Sequence, residues 1–244
     1  MAATRAAGWS AFATIFTASR DLGPRAWTHS SSTLKPSASK ELLMPSDTTT
    51  SAAKSRRTFP DATADPGDLN VLAVKHVGHL IRELHDALST FTPPPTAIWN
   101  VAITPDSTKL IGHNDLAPWN FVRGMGSTTF IDWDGAGPGS RLWDLAYAAH
   151  GFIPLSTRFS LHDTELPERL AALVDGYDLG ERERLSLVNL LAPRINSMYQ
   201  LLHRSWVEGV DPWRTLWSEG HGDAWREDLE FVVTRLSWWM GALA

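Results

Sequence analysis

The chain has 244 residues, 43% of them hydrophobic and none of them cysteine, so it can build one large domain or two small ones and holds neither disulfides nor thiolate metal sites. No apolar run approaches the roughly 20 residues that a helical bilayer crossing needs, so a soluble protein with no membrane partner is expected. Residues 1–57 carry eight Lys/Arg against three Asp/Glu, and residues 58–244 carry fourteen against twenty-four; a body this acidic argues against nucleic acid as a partner and permits a cationic one.

Residues 1–65 are rich in Ala, Ser and Thr, and stretches such as "SSSTLKPSASK" and "SDTTTSAAKSRR" keep neither a helical nor a strand period. They read as a poorly ordered leader, broken only by a short helical pattern around Trp9 to Ser19. Their Arg and Ser content with few acids matches an organelle transit peptide in composition, but the amphipathic helix such a peptide needs is weak here. A cytoplasmic protein is the expectation.

After "DPGD", the segment "LNVLAVKHVGHLIRELHDAL" puts Val77, Leu80, Ile81, Leu84 and Leu88 on one face at the helical repeat, which predicts an amphipathic helix from about residue 69 to 90. The same period places His76, His79 and His85 on that helix without a companion carboxylate at zinc-protease spacing, so they are expected on its surface. "TPPP" at 92–95 ends it, because proline lacks a backbone donor and disfavours helix in the residue before it.

Short apolar, β-branched runs in "TKLIGHND" and "STTFIDWD" each lead into an acidic turn, with "NFV" and "GMG" between them. They predict short strands whose ends bring Asp115 and Asp132 to one edge. From Arg141 on, "RLWDLAYAAHGF", "LPERLAALVDGYDL", "ERERLSLVNLLAPRINSMYQLLHRSWVEGV" and "WREDLEFVVTRLSWWMGAL" carry apolar residues three and four apart, so helices are expected there. Trp206, Trp213, Trp217, Trp225, Trp238 and Trp239 fall in these segments and are read mostly as core, since large aromatic rings dominate burial.

The chemistry lies in "GHNDLAPWNFV" and "FIDWDGAGPG". An Asp with an Asn five residues later is by itself a common turn pattern, because both residues favour loops. Phosphoryl transfer, however, asks for one carboxylate to orient and accept the proton of an attacking hydroxyl, and for oxygen ligands to hold Mg²⁺ on nucleotide phosphates. Asp115, Asn120 and Asp132 match those needs in type and order, and oxygen-only ligands suit Mg²⁺.

"HNDLAPWN", then "FIDWD", then "RLWDLA" resembles the aminoglycoside phosphotransferase and choline kinase family, relatives of the protein kinases, over roughly residues 69–244. The resemblance implies an α+β, mostly α fold: a protein-kinase-like C-terminal lobe with a few short strands, placed at 66–244. It assigns the catalytic base to Asp115, the metal to Asn120 and Asp132, and bracing of the catalytic loop to His113 and Asp144; Asp134 either assists the metal or lines the substrate pocket. It implies Mg²⁺, ATP or GTP as co-substrate, and a small-molecule alcohol as acceptor. When the acceptor is cationic, acidic residues on the later helices hold it in this family, and Glu208, Asp211, Glu219, Asp223, Glu227 and Asp228 are candidates by location.

The family's N-terminal lobe, with its phosphate-covering loop, strand lysine and partner glutamate, is not legible in residues 1–65. "VLAVK", ending at Lys75, imitates the lysine strand but continues the helical period, and Lys35, Lys40 and Lys54 lack any flanking strand pattern. A truncated or mis-started gene product, weakly active or inactive, is one expectation. A catalytically dead binding module that keeps the lobe is a rival. "FIDWDGAG" also resembles the first motif of haloacid-dehalogenase-type phosphatases, with Asp132 as nucleophile, but the last lysine is Lys109, upstream of where that chemistry needs one.

Overall fold

Asn70 opens the first described helix: its side-chain oxygen accepts from the Ala73 N–H at 2.9 Å, satisfying one of the donors that every helix N-terminus leaves free. This helix, α1, runs Val71–Leu88. The computed structural model describes residues 69–124, 127–159 and 165–243; the leader read over 1–65 and its helical pattern at Trp9–Ser19 lie outside the described residues.

Val77, Ile81, Leu84 and Leu88 are buried along α1, while Leu80 is only partly buried against the core. One expectation fails here. His79 is exposed and His76 half-buried, but His85 is fully buried. It lies four residues after Ile81 and three before Leu88, which puts it on the apolar face rather than the surface.

Four short strands follow among the described residues. β1 (Leu110–Gly112) and β4 (Gly137–Gly139) pair antiparallel with Ile111 opposite Pro138, and β2 (Phe121–Gly124) and β3 (Ser127–Phe130) form a second antiparallel pair with Phe121 opposite Phe130. A 3-10 turn at Pro118–Asn120 leads into β2. β4 reads "GPG", a composition depleted in strands; its extended form comes from pairing with β1, so no local pattern announces it.

The rest is helical, so the chain is mostly α with a few short strands, as the sequence predicts. Ser140 caps α2 (Arg141–Phe152) by accepting from the Trp143 N–H at 3.1 Å. α3 (Glu165–Tyr177) crosses α1 at Gly78 and Gly176. A methyl group on Gly176 would collide with the Lys75 carbonyl, and one on Gly78 with the Leu173 carbonyl, so the two backbones approach as only glycine allows.

α4 (Glu181–Glu208) is the longest helix among the described residues and ends at Gly209 with φ of 74°, the left-handed cap that glycine supplies without strain. It packs on α2, on α5 (Trp213–Ser218) and on α6 (His221–Thr234). The last segment with a helical period holds two helices, for the chain turns at Arg235 before α7 (Leu236–Ala242). The turn carries Trp239 back into the core, where its indole N–H donates to the Val232 carbonyl at 3.2 Å.

Of the six tryptophans read mostly as core, Trp225 and Trp239 are buried, Trp213, Trp217 and Trp238 are half-buried, and Trp206 is exposed, stacked on Trp217. Among the described residues, no helix is long and apolar enough to cross a membrane.

Candidate active site

β1 delivers the chain to His113, which is fully buried. Its backbone N–H donates to Asp144 Oδ2 at 2.8 Å, and the next residue's N–H donates to Asp144 Oδ1 at 2.9 Å. Both lobes of one carboxylate therefore grip consecutive amides of the loop that carries Asp115. Gly112 lets Asp144 come this close, since a Cβ there would stand 2.9 Å from its Oδ2.

Asp144 comes from the first turn of α2 and is almost fully buried. His85 Nε2 lies 3.2 Å from its Oδ2, and His85 Nδ1 lies 2.7 Å from the Tyr177 hydroxyl. Burial alone would raise the Asp144 pKa, but the His85 hydrogen bond and charge, joined by His113, hold it below the ordinary aspartate value; the ionised form is the one the site is built around.

His113 ties the loop sideways. Its Nε2 lies 3.0 Å from the Ile131 carbonyl, while Nδ1 accepts from the Asp115 N–H at 3.3 Å. Both contacts are met by the tautomer that carries its proton on Nε2. Its ring packs on Trp133 at 4.5 Å between centroids, and Ile131 is the residue before Asp132.

Asp115 is half-buried, and Asn120 is 4% exposed. The Asn120 side-chain nitrogen donates to Asp115 Oδ2 at 2.7 Å and to the Asp115 carbonyl at 3.0 Å. With the nitrogen committed, the other face of that amide presents its oxygen. Asp132, with φ of 63°, and Asp134 are both exposed. Even so, lost hydration raises the Asp132 pKa, with the charges of Asp134 and Asp115 and a hydrogen bond to Asp134 adding to the effect.

Among the described residues no three His, Cys, Asp or Glu side chains are drawn together as a metal cage. The donor chemistry nevertheless fits a hard divalent cation: an amide oxygen from Asn120 and carboxylates from Asp132 and Asp134, close enough to feel one another's charge, match the oxygen ligands and partial hydration that Mg²⁺ favours.

A model of the phosphotransferase enzyme family matches residues 36–188, more than half of the chain. The chain belongs to this phosphotransferase family. A trifolitoxin immunity protein from Rhizobium leguminosarum bv. trifolii is 30% identical over 145 residues, which is 52% of this chain and 52% of that protein. The chain thus spans about half the length of that curated relative. A crystal structure of a choline/ethanolamine kinase family protein from Mesorhizobium loti is similar at 16% identity, over 70% of this chain and 65% of that one, with a TM-score of 0.43.

Two residues of this phosphotransferase-family chain are not anticipated by the motifs. Arg194, from α4, is 2% exposed and donates to the Asn114 carbonyl at 2.9 Å, with its guanidinium 4.3 Å from the Tyr147 ring centroid and 5.3 Å from that of Trp143. Tyr147 is buried; burial first, and then the neighbouring Asp115 carboxylate, raises its phenol pKa. Arg194 sits three residues after Leu191 and seven after Leu187 on the buried face of α4, so a charged residue at a core position was the available signal.

Of the acids that location offered for a cationic acceptor, Glu208, Asp211, Glu219, Asp223 and Glu227 are exposed. Asp228 is fully buried and committed to His150 Nε2 at 2.9 Å and Arg158 Nη2 at 2.6 Å. Lys75 is an exposed residue of α1, not of a strand.

Proposed function

We propose that the chain carries the catalytic loop of a small-molecule kinase that transfers the γ-phosphoryl group of ATP or GTP to a substrate hydroxyl. On this reading residues 66–244 form the lobe that holds the base and the metal ligands, residues 1–65 precede it, and the reaction runs in the cytoplasm, where the nucleotide is found. The observation that carries it is the 2.7 Å bond from Asn120 to the Asp115 carboxylate, set beside the Asp132 and Asp134 loop by the bond between His113 and the Ile131 carbonyl.

Asp115 accepts the proton of the attacking hydroxyl as its oxygen bonds to the γ-phosphorus and the bond from that phosphorus to the departing nucleoside diphosphate breaks. Asn120 and Tyr147 both engage the Asp115 carboxylate and so orient it for the acceptor. Asn120 and Asp132, with Asp134 beside them, would hold Mg²⁺, which when bound neutralises phosphate charge. Asp144 and His113 keep the loop in place, so that the base meets its substrate without reorganisation.

A thermal shift with nucleotide and Mg²⁺ tests the reading, because a ligand that binds the native state raises its stability. Stabilisation that disappears in Asp132→Ala is expected. No shift at millimolar nucleotide would sink the kinase reading and leave a binding module that keeps the family's lobe. The relative's name, an immunity protein, favours a narrower version in which the acceptor is a toxic compound and phosphorylation protects the cell. Growth of cells with and without the chain, challenged with hydroxylated toxins, tests that version separately.

A further inference from the structure

Asn114, between His113 and Asp115, has φ of 64°, in the left-handed region where non-glycine residues are uncommon and asparagine is among the few tolerated. If only that backbone shape were needed, glycine would supply it more cheaply. The asparagine side chain does something glycine cannot.

Its three polar groups reach three different segments. The backbone N–H donates to Asp144 on α2 at 2.9 Å, and the carbonyl accepts from Arg194 on α4 at 2.9 Å. The side-chain nitrogen donates to the Gly135 carbonyl at 3.1 Å and makes a longer approach to the Gly137 carbonyl at 3.5 Å. Gly135 immediately follows Asp134, and Gly137 opens β4.

The bond from His113 Nε2 to the Ile131 carbonyl lies just before Asp132, and the Asn114 bond lies just after Asp134. Together the two bonds bracket the three residues that carry the second pair of carboxylates. Both originate from the two residues preceding Asp115. The Arg194 cation, buried against Tyr147 and Trp143, holds the Asn114 carbonyl, so the side-chain amide starts from a fixed backbone.

We infer that Asn114 is a positioning residue that ties the loop of Asp115 to the loop of Asp132 and Asp134 and so fixes the separation of their carboxylates. The inference rests on the kinase reading for its functional consequence, but the tie itself can be measured without turnover.

The test compares the full chain with Asn114→Gly, which keeps the left-handed backbone and removes the tie, and with Asn114→Asp, which tolerates the same backbone but turns a carboxylate toward two carbonyls. Hydrogen exchange should quicken in peptides covering 131–139 in both variants and stay unchanged in α1 and α3. The Mg²⁺ concentration giving half-maximal nucleotide stabilisation should rise by roughly tenfold, as for other residues that orient metal ligands. Unchanged exchange over 131–139 in Asn114→Gly overturns the tie. Faster exchange with an unchanged Mg²⁺ requirement overturns the positioning role and leaves a structural crosslink. If the wild-type chain shows no Mg²⁺–nucleotide response, the kinase reading fails, and the exchange data alone decide whether the two loops are tied.

Discussion

Asn120 donates one side-chain amide to both the carboxylate and the backbone carbonyl of Asp115, at 2.7 and 3.0 Å. The two residues therefore act as a unit across the 3-10 turn at Pro118–Asn120, and the orientation of the proposed base depends on a proposed metal ligand. A change at either end should be felt at the other.

Asp115→Asn separates the chemistry of the base from its position. The replacement amide still offers an oxygen to Asn120, so the loop keeps its shape, but it cannot accept a proton. Phosphoryl transfer to any acceptor found for the wild type should fall by about 10³-fold, with the melting temperature little changed. A variant that turns over at the wild-type rate would remove Asp115 from the mechanism.

Asn120→Ala removes the steering bonds while leaving the backbone bonds of residue 120 to Ala117 and Ile131. Loss of two part-buried hydrogen bonds should cost about 1–2 kcal/mol, which for a chain of this size lowers the melting temperature by roughly 2–8 °C. Turnover should fall well beyond what that loss explains. An activity loss matched by the unfolded fraction at the assay temperature would reduce Asn120 to a structural residue.

The elements that the sequence made legible are those whose pattern is local. The period in "LIRELHDAL" and in "LVNLLAPRINSMYQLL" marks α1 and α4, and even Pro193 inside α4 does not interrupt the apolar stripe around it. The order His113, Asp115, Asn120, Asp132, Asp144 is readable because all five lie on short elements or on the brief loops that join them. What stayed hidden depends on partners distant in sequence. Asn114 reads as one more loop asparagine until Gly135 and Arg194 are brought to it. β4 is extended because β1 pairs with it, and the break at Arg235 follows from the place Trp239 finds against Val232. His85 was legible in principle: its spacing from Ile81 and Leu88 puts it on the apolar face, but the carboxylate it meets there, Asp144, lies 59 residues away in sequence.

The crossing of α1 and α3 gives a test of packing with its own control. Gly176→Ala places a methyl group against the Lys75 carbonyl, where backbone rather than a flexible side chain must give way; strain of about 1–3 kcal/mol is expected. Gly241, in α7, has nothing within 4 Å of the position its Cβ would occupy, so Gly241→Ala should instead stabilise by about 0.5–1 kcal/mol through helix propensity. Urea unfolding of the two variants should move in opposite directions, and a neutral Gly176→Ala would mean that the helices can separate at little cost.

Asp144 links the fold to pH. Its pKa in the folded chain lies below the ordinary aspartate value, so the unfolded chain binds a proton there more readily than the folded one. The stability from this group is then fully present above the unfolded value of about 3.9 and is lost as pH falls from there through the lower folded value. Asp144→Asn abolishes that titration. It also leaves the amides of His113 and Asn114, and His85, facing a group that accepts from fewer of them, at a cost of about 3–5 kcal/mol near neutral pH, typical of breaking a buried charged pair. Urea unfolding measured from pH 7 down to about 3 should show the wild type losing its advantage over Asp144→Asn as the solution is acidified. Other carboxylates held low, among them Asp86 and Asp228, steepen both curves alike, so the difference between the curves reports Asp144 together with the histidines coupled to it. A difference that stays constant across that range would mean that Asp144 takes up its proton equally in the folded and unfolded chain, and its grip on the catalytic loop would then owe nothing to its charge.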